Sequence, residues 1–284
     1  MSEQIPNGSW IHWKDRAVFS LSGPDRVRYL NGQVTNRIDQ DLTNKTIAAC
    51  VCSLKGKVEA LVWITELDGR ILIDGELRQR EFLAERLDRY LIADDCELED
   101  VTADWRLYHR IGDLSADGRE SSRLSAAGED IWKRSTDDAP EWPVESEMSS
   151  DAFQLLKIRS MLPESDAEIT GNEFPSELGL DRWAVDFHKG CYLGQEVISR
   201  IESVGKTKRS LVRFLSKEPL IPGAKIFEAK HQWEILRSQL IVPEGVHEGL
   251  AMQSPVKKDL PPEFSQANEF TVIEEPFMRT PTND

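Results

Sequence analysis

The sequence predicts an α+β fold built on antiparallel strands, followed by a small all-β unit. Three observations carry this. Three short β-prone runs between Thr46 and Asp74 are joined by Gly-containing turns. The pattern then switches to a helical period from Glu76 to Ile92, and beyond residue 209 it returns to short strands separated by turn residues. The chain has 284 residues, 39% hydrophobic and 30% charged, which suits two packed units. Its 8 Trp, 10 Phe and 4 Tyr supply real cores and exclude disorder over most of the length.

Taken in order, Ala17 to Leu21 alternates as a strand, and Ser22-Gly23-Pro24-Asp25 reads as a helix start with Ser22 as cap. That helix carries Val27 and Leu30 and stops near Asn31-Gly32. Thr46–Ser53, Val58–Thr65 and Arg70–Asp74 form an antiparallel meander with turns at Lys55-Gly56-Lys57 and Asp68-Gly69. Leu83, Leu87, Tyr90 and Leu91 share one face of the covering helix. The stretch from Ile111 to Ser150 reads as short strands with loose connections. Ser149 or Ser150 then caps a helix bearing Phe153, Leu156 and Met161, ended by Pro163. From Leu211 onward the runs suggest a small antiparallel barrel or sandwich, and Met278 to Asp284 a frayed tail.

Lys+Arg 35 against Asp+Glu 50 leaves a net charge of −15. A field of that sign repels phosphate backbones and anionic membranes, so non-specific nucleic-acid binding is not expected. No apolar run reaches the ~20 residues of a spanning helix, and Met1 to Pro6 shows no leader signal. Four irregularly spaced cysteines fit reduced thiols, and a cytoplasmic setting is expected. Asp94, Asp95, Glu97, Glu99 and Asp100 read as a solvated acidic edge, without the loop or His partner of a cation site. No Walker loop or dinucleotide fingerprint is present.

The informative segment runs from Lys189 through Gly190, Cys191, Tyr192, Leu193, Gly194, Gln195 and Glu196 to Arg200. Two glycines bracket a cysteine, and a helix is expected from Gln195. A thiol at a helix N-terminus beside Lys189 would feel positive potential, making Cys191 a candidate reactive thiol. The alternative is a small buried hydrophobe in a turn. From Arg182 to Arg213 seven basic residues face three acids, +4 against −19 for the remainder, which suggests a local anion site or an unused basic loop. Cys50 and Cys52, two apart on a strand, share one face and read as core, while carboxylates around Cys96 argue against reactivity. The five histidines show no metal spacing; His188 lies three residues from Cys191.

These residues resemble a known family. Lys189 to Glu196 is similar to the signature of the YgfZ-type folate-binding proteins, relatives of the glycine cleavage T-protein, an aminomethyltransferase. The resemblance extends to Pro175–Asp181, to Leu30–Asn36 and to Ser53–Val58, and covers residues 15 to 215. It implies three lobes around a central hole: two α+β lobes, residues 1–45 with 107–208 and the inserted 46–106, then a C-terminal β-barrel at 209–284. It implies tetrahydrofolate or a derivative as ligand. Glu177 matches the position that holds the pterin ring, and Arg209 one facing the glutamate tail, with Lys189, Gln195 and Arg200 beside them.

T-proteins carry an aspartate pair where this chain reads Lys57-Val58-Glu59-Ala60, so glycine cleavage activity is not expected. YgfZ-type relatives instead support iron–sulfur enzymes, including tRNA-thiolating ones, through the motif cysteine. By position Cys191 inherits that role, as nucleophile, redox partner or cluster contact. The alternative is a folate-dependent aminomethyl or methyl transferase, with Glu59 as its candidate acid or base.

Overall fold

In the computed structural model the described residues are 6–205, 207–228, 231–241, 244–256 and 270–273. The opening from Met1, the basic Lys206 and the tail from Met278 lie outside them.

Strands β1 (Trp10–Trp13) and β2 (Arg16–Ser22) lead to helix α1 (Arg26–Gln33). The expected meander follows as β3 (Lys45–Cys52), β4 (Val58–Leu67) and β5 (Arg70–Glu76). A 3-10 turn at Leu77–Gln79 enters α2 (Arg80–Asp88), and β6 (Glu97–Asp100), β7 (Trp105–Ile111), β8 (Arg119–Ser121) and β9 (Gly128–Arg134) complete the sheet strands. Their order is β1-β7-β9-β8-β3-β4-β5-β2-β6, antiparallel throughout except for β3 beside β8. β2 lies between β5 and β6, so the two expected lobes share one continuous sheet.

Period-2 alternation gives the central strands two buried faces. Ile47, Ala49 and Val51 join Phe19, Leu21, Val62, Ile64 and Ile73 in one cluster, covered by Tyr29 and Leu30 of α1 and Leu83 and Leu87 of α2. Ala48, Cys50 and Cys52 face the other way, toward Trp63, Trp132, Trp183 and Phe153. That second cluster takes in α3 (Ser150–Arg159) and α4 (Gln195–Val204), and reaches Leu211, Leu250 and Met252 of the C-terminal sheet. Full burial of each large apolar side chain contributes roughly 1.5–3 kcal/mol.

The helix ends show which local signals prevailed. Ser149 caps α3, its hydroxyl accepting from the Ala152 amide at 3.2 Å. Ser22 does not cap α1: it ends β2, and the cap position falls to Asp25, whose carboxylate accepts from the Asp95 amide at 2.9 Å. The 94–100 acids are largely paired, Asp94 with Arg28, Glu99 with Arg70 and Asp100 with Arg80. No group of three or more metal-ligating side chains occurs among the described residues.

The C-terminal sheet comprises β10 (Ser210–Ser216), β11 (Lys225–Glu228), β12 (His231–Ile241), β13 (Val246–Pro255) and β14 (Phe270–Ile273), ordered β11-β12-β13-β10-β14 and antiparallel. Arg237 on β12 fastens it to the segment after α3, donating to Glu164 (2.6 Å), Glu168 (2.7 Å) and the Leu162 carbonyl (2.6 Å). Glu248 on β13 adds a second tie through Arg159 at 3.0 Å.

Candidate functional site

The signature segment folds as a surface turn that enters α4, as its glycines require. Gly194 occupies the α4 cap position with φ +85°, and a Cβ there would stand 2.5 Å from the Ser53 carbonyl oxygen. Gly56, at φ +70°, closes the contact from the β3–β4 turn. Only glycine fits either place, so the two quoted motifs are two halves of one close approach. Cys191 is exposed on this turn, Tyr192 beside it is buried, and Gln195 opens α4 with its amide on the Tyr192 carbonyl at 3.2 Å. Burial raises the Tyr192 phenol well above its ordinary range.

Lys189 is turned inward rather than toward Cys191. Its ammonium is buried and donates to the carbonyls of Asn31 (2.7 Å), Val34 (2.9 Å) and Asn36 (2.6 Å) at the end of α1. That burial pulls its pKa down to about 8. The basic window as a whole is largely consumed internally. Arg200 pairs with Glu196 at 2.7 Å on the exposed face of α4, and Arg213 pairs with Glu248 at 3.1 Å. Arg209 holds Glu177 in a bidentate pair with both contacts at 3.0 Å. Among the described residues no hydrogen bond joins the His188 ring to Cys191; the His188 amide donates to Asp186 at 2.7 Å.

Glu177 and Arg209 are thus brought together rather than set at opposite ends of a ligand. The Phe174 amide also donates to Glu177, at 2.9 Å. Lys57 completes the cluster, its ammonium 3.2 Å above the Phe174 ring and bonded to the Asn172 carbonyl at 2.7 Å. Desolvation lowers the Lys57 pKa. Glu59, the candidate acid for group transfer, lies 3.6 Å from Arg86 and does not line the large cavity.

That cavity, about 660 Å³, opens between β1, β4, α3 and the turn after β5, within the usual range for small-molecule sites. Trp13, Leu61, Trp63, Phe153 and Leu162 supply apolar wall, and His12, Arg16, Gln154, Lys157 and Glu164 supply polar groups. None of Cys191, Glu177, Lys189, Gln195, Arg200 or Arg209 lines it. Sequence reading missed these wall residues because they are scattered; the one local signal was Trp13 set among His12, Lys14, Asp15 and Arg16.

Behind the wall runs a chain of buried charge. Arg16 meets Asp74 at 2.7 Å, Arg123 binds Asp74 at 2.6 and 2.9 Å and Asp130 at 2.6 Å, and Asp130 meets His109 Nδ1 at 2.8 Å. Burial opposes the charge on Asp130, yet Arg123 and His109 prevail and hold it at about 2. Arg123 also lies 4.8 Å over Trp63 and 5.6 Å from Trp13, bracing the cavity's aromatic wall. Of the four cysteines, Cys50 and Cys52 are buried, Cys96 is half-buried and Cys191 alone is exposed.

No family model matches the chain. Several curated relatives bear the name tRNA-modifying protein YgfZ; that of Colwellia psychrerythraea is 24% identical over 239 residues, 73% of this chain and 72% of the relative. A mitochondrial iron–sulfur cluster assembly factor homolog of Neurospora crassa is 22% identical over 224 residues, 69% of this chain and 51% of that one. Among solved structures, the glycine cleavage system aminomethyltransferase T of Bartonella henselae superposes with a TM-score of 0.69 at 12% identity, over 88% of this chain and 79% of that one. The fold is that of the aminomethyltransferase, and the signature turn and the sequence relatives make the chain similar to YgfZ-type proteins over about three quarters of its length.

Proposed function

We propose that this protein supports the assembly or repair of iron–sulfur enzymes, tRNA-thiolating ones among them, with Cys191 as its working thiol and tetrahydrofolate or a derivative as its ligand. The carrying observation is the exposure of Cys191 on a turn that the rest of the fold fixes in place. Lys189 anchors one side through three carbonyls, and Gly194 locks the other against the β3–β4 turn. The names of the YgfZ relatives and of the mitochondrial assembly-factor homolog support the client class.

The large cavity is the folate site in this reading. Its aromatic wall suits a pterin or aminobenzoyl ring, and its charged rim suits the polar ends. Glu177 and Arg209 pair with each other outside this cavity, and in this reading they are not its folate contacts. Gln195 and Arg200, expected as folate contacts, stand on α4 outside that cavity. In a strain lacking the native protein, Cys191→Ser is expected to fold normally and to fail to restore iron–sulfur enzyme activity. Full restoration by that variant removes the thiol from the mechanism.

A further inference from the structure

A cleft of about 290 Å³ opens between the C-terminal sheet and the segment that leads from α3 toward the signature turn. It shares no wall residue with the large cavity. One side is formed by two 3-10 turns, Pro175–Glu177 and Leu180–Arg182, which Gly179 joins at φ +70°. The other side is β10, with Gln253 of β13 and the edge strand β14. Arg182 and Arg213, the two ends of the basic window in the sequence, both line it.

The charges around the cleft are not equally occupied. Glu177 is held by Arg209 in the bidentate pair, and Arg213 is held by Glu248 at 3.1 Å. Arg182 is exposed, and its guanidinium makes no hydrogen bond or ion pair among the described residues. Its neighbour Asp181 lines a separate hollow of about 10 Å³, against Phe187 and Ile198. Ser176 and Ser210, half-buried in the cleft wall, likewise make no side-chain hydrogen bond among the described residues. Arginine keeps its charge throughout the physiological range, so this end of the cleft is positive whatever the pH.

Much of the remaining wall is apolar: Met161, Val212, Val272 and Ile273 are each half-buried there. A guanidinium fork pairs with a carboxylate through two parallel bonds, and hydroxyls can donate to the same oxygens. Apolar wall favours a ligand that carries chain or ring surface behind its charge. A dianion would bring more negative charge than one unpaired guanidinium offsets, with the carboxylate of Glu177 in the same wall. The volume lies at the small end of ligand sites. We propose that this cleft binds a small amphipathic monocarboxylate, its anion on Arg182 and the serine hydroxyls and its apolar body against Val212, Val272 and Ile273. The site is independent of the folate and thiol assignments.

The test is calorimetric titration of the full chain with benzoate and with octanoate. Acetate keeps the charge without the body, benzyl alcohol keeps the body without the charge, and both serve as controls. Saturable binding is expected for at least one of the two acids, about tenfold tighter than for either control. Arg182→Gln should weaken that binding by about tenfold, the loss of one charge-assisted contact. Its melting temperature should match the wild type, since Arg182 leaves no partner behind. No saturable binding of either acid, a control that binds as tightly as the acids, or unchanged affinity in Arg182→Gln would overturn the proposal.

Discussion

The two faces of the central strands carry the same backbone and do opposite work. One face, under α1 and α2, is almost wholly apolar: Phe19, Leu21, Ile47, Val62, Ile64 and Ile73 pack against Leu30, Leu83 and Leu87. The other mixes tryptophans with a buried chain of alternating charge from Arg16 through Asp74, Arg123 and Asp130 to His109. The large cavity opens on that second side, as does a hollow of about 390 Å³ beside β8. Non-directional packing can secure a sheet without specifying what lies on it, whereas a charge chain fixes side chains in one arrangement at a cost in desolvation. The polar face is where the fold fixes side chains beside both cavities.

Breaking the charge chain should therefore cost more than trimming the apolar face. Arg123→Met leaves Asp74 and Asp130 buried without their shared partner and is expected to destabilise by ~3–5 kcal/mol in urea unfolding. Ile64→Val, a methylene deletion opposite, should cost only ~0.5–1.5 kcal/mol. Equal effects would mean that the chain is not held as a unit.

Acid should loosen the polar face selectively. The folded-state pKa of Asp130 is lowered from 3.8 to about 2. Its ionised form therefore adds stability above pH ~4, and that contribution is lost as pH falls through about 2. The difference amounts to about 2 kcal/mol. Asp130→Asn begins less stable at neutral pH, and the gap to the wild type should narrow by about that amount between pH ~5 and ~1. A constant gap would contradict the assignment.

The signature turn gives a smaller and more local effect. Gly194→Ala must place a Cβ at φ +85°, 2.5 Å from the Ser53 carbonyl oxygen. A loss of ~1–3 kcal/mol is expected from the strain, together with a changed rate of Cys191 alkylation. An unaltered rate would mean that the glycine contact does not position the thiol.

Much of the fold could be read from local pattern, and the site only in part. The meander, the Ser149 cap and the helix start at Gln195 follow from period, capping chemistry and glycine placement, all within a few residues. The pairing of β2 between β5 and β6 depends on strands distant in sequence, as does the parallel contact of β3 with β8. Side-chain direction was the harder matter. Lys189 looked like a partner for Cys191 by adjacency, yet three carbonyls at the end of α1 draw it inward. Arg209 and Glu177, 32 residues apart, are each other's partners. Asp74, His109, Arg123 and Asp130 carry no local signature at all, because their meaning lies in cross-strand register.

The central claim is that ligand and thiol occupy separate places, the folate in the cavity over the polar face and Cys191 on the surface turn. Calorimetric titration of tetrahydrofolate into wild type and Cys191→Ser, under reducing conditions, tests it most directly. Saturable one-to-one binding with the same affinity in both proteins is the predicted result. Absence of binding at millimolar ligand, or its loss in Cys191→Ser alone, would contradict the account.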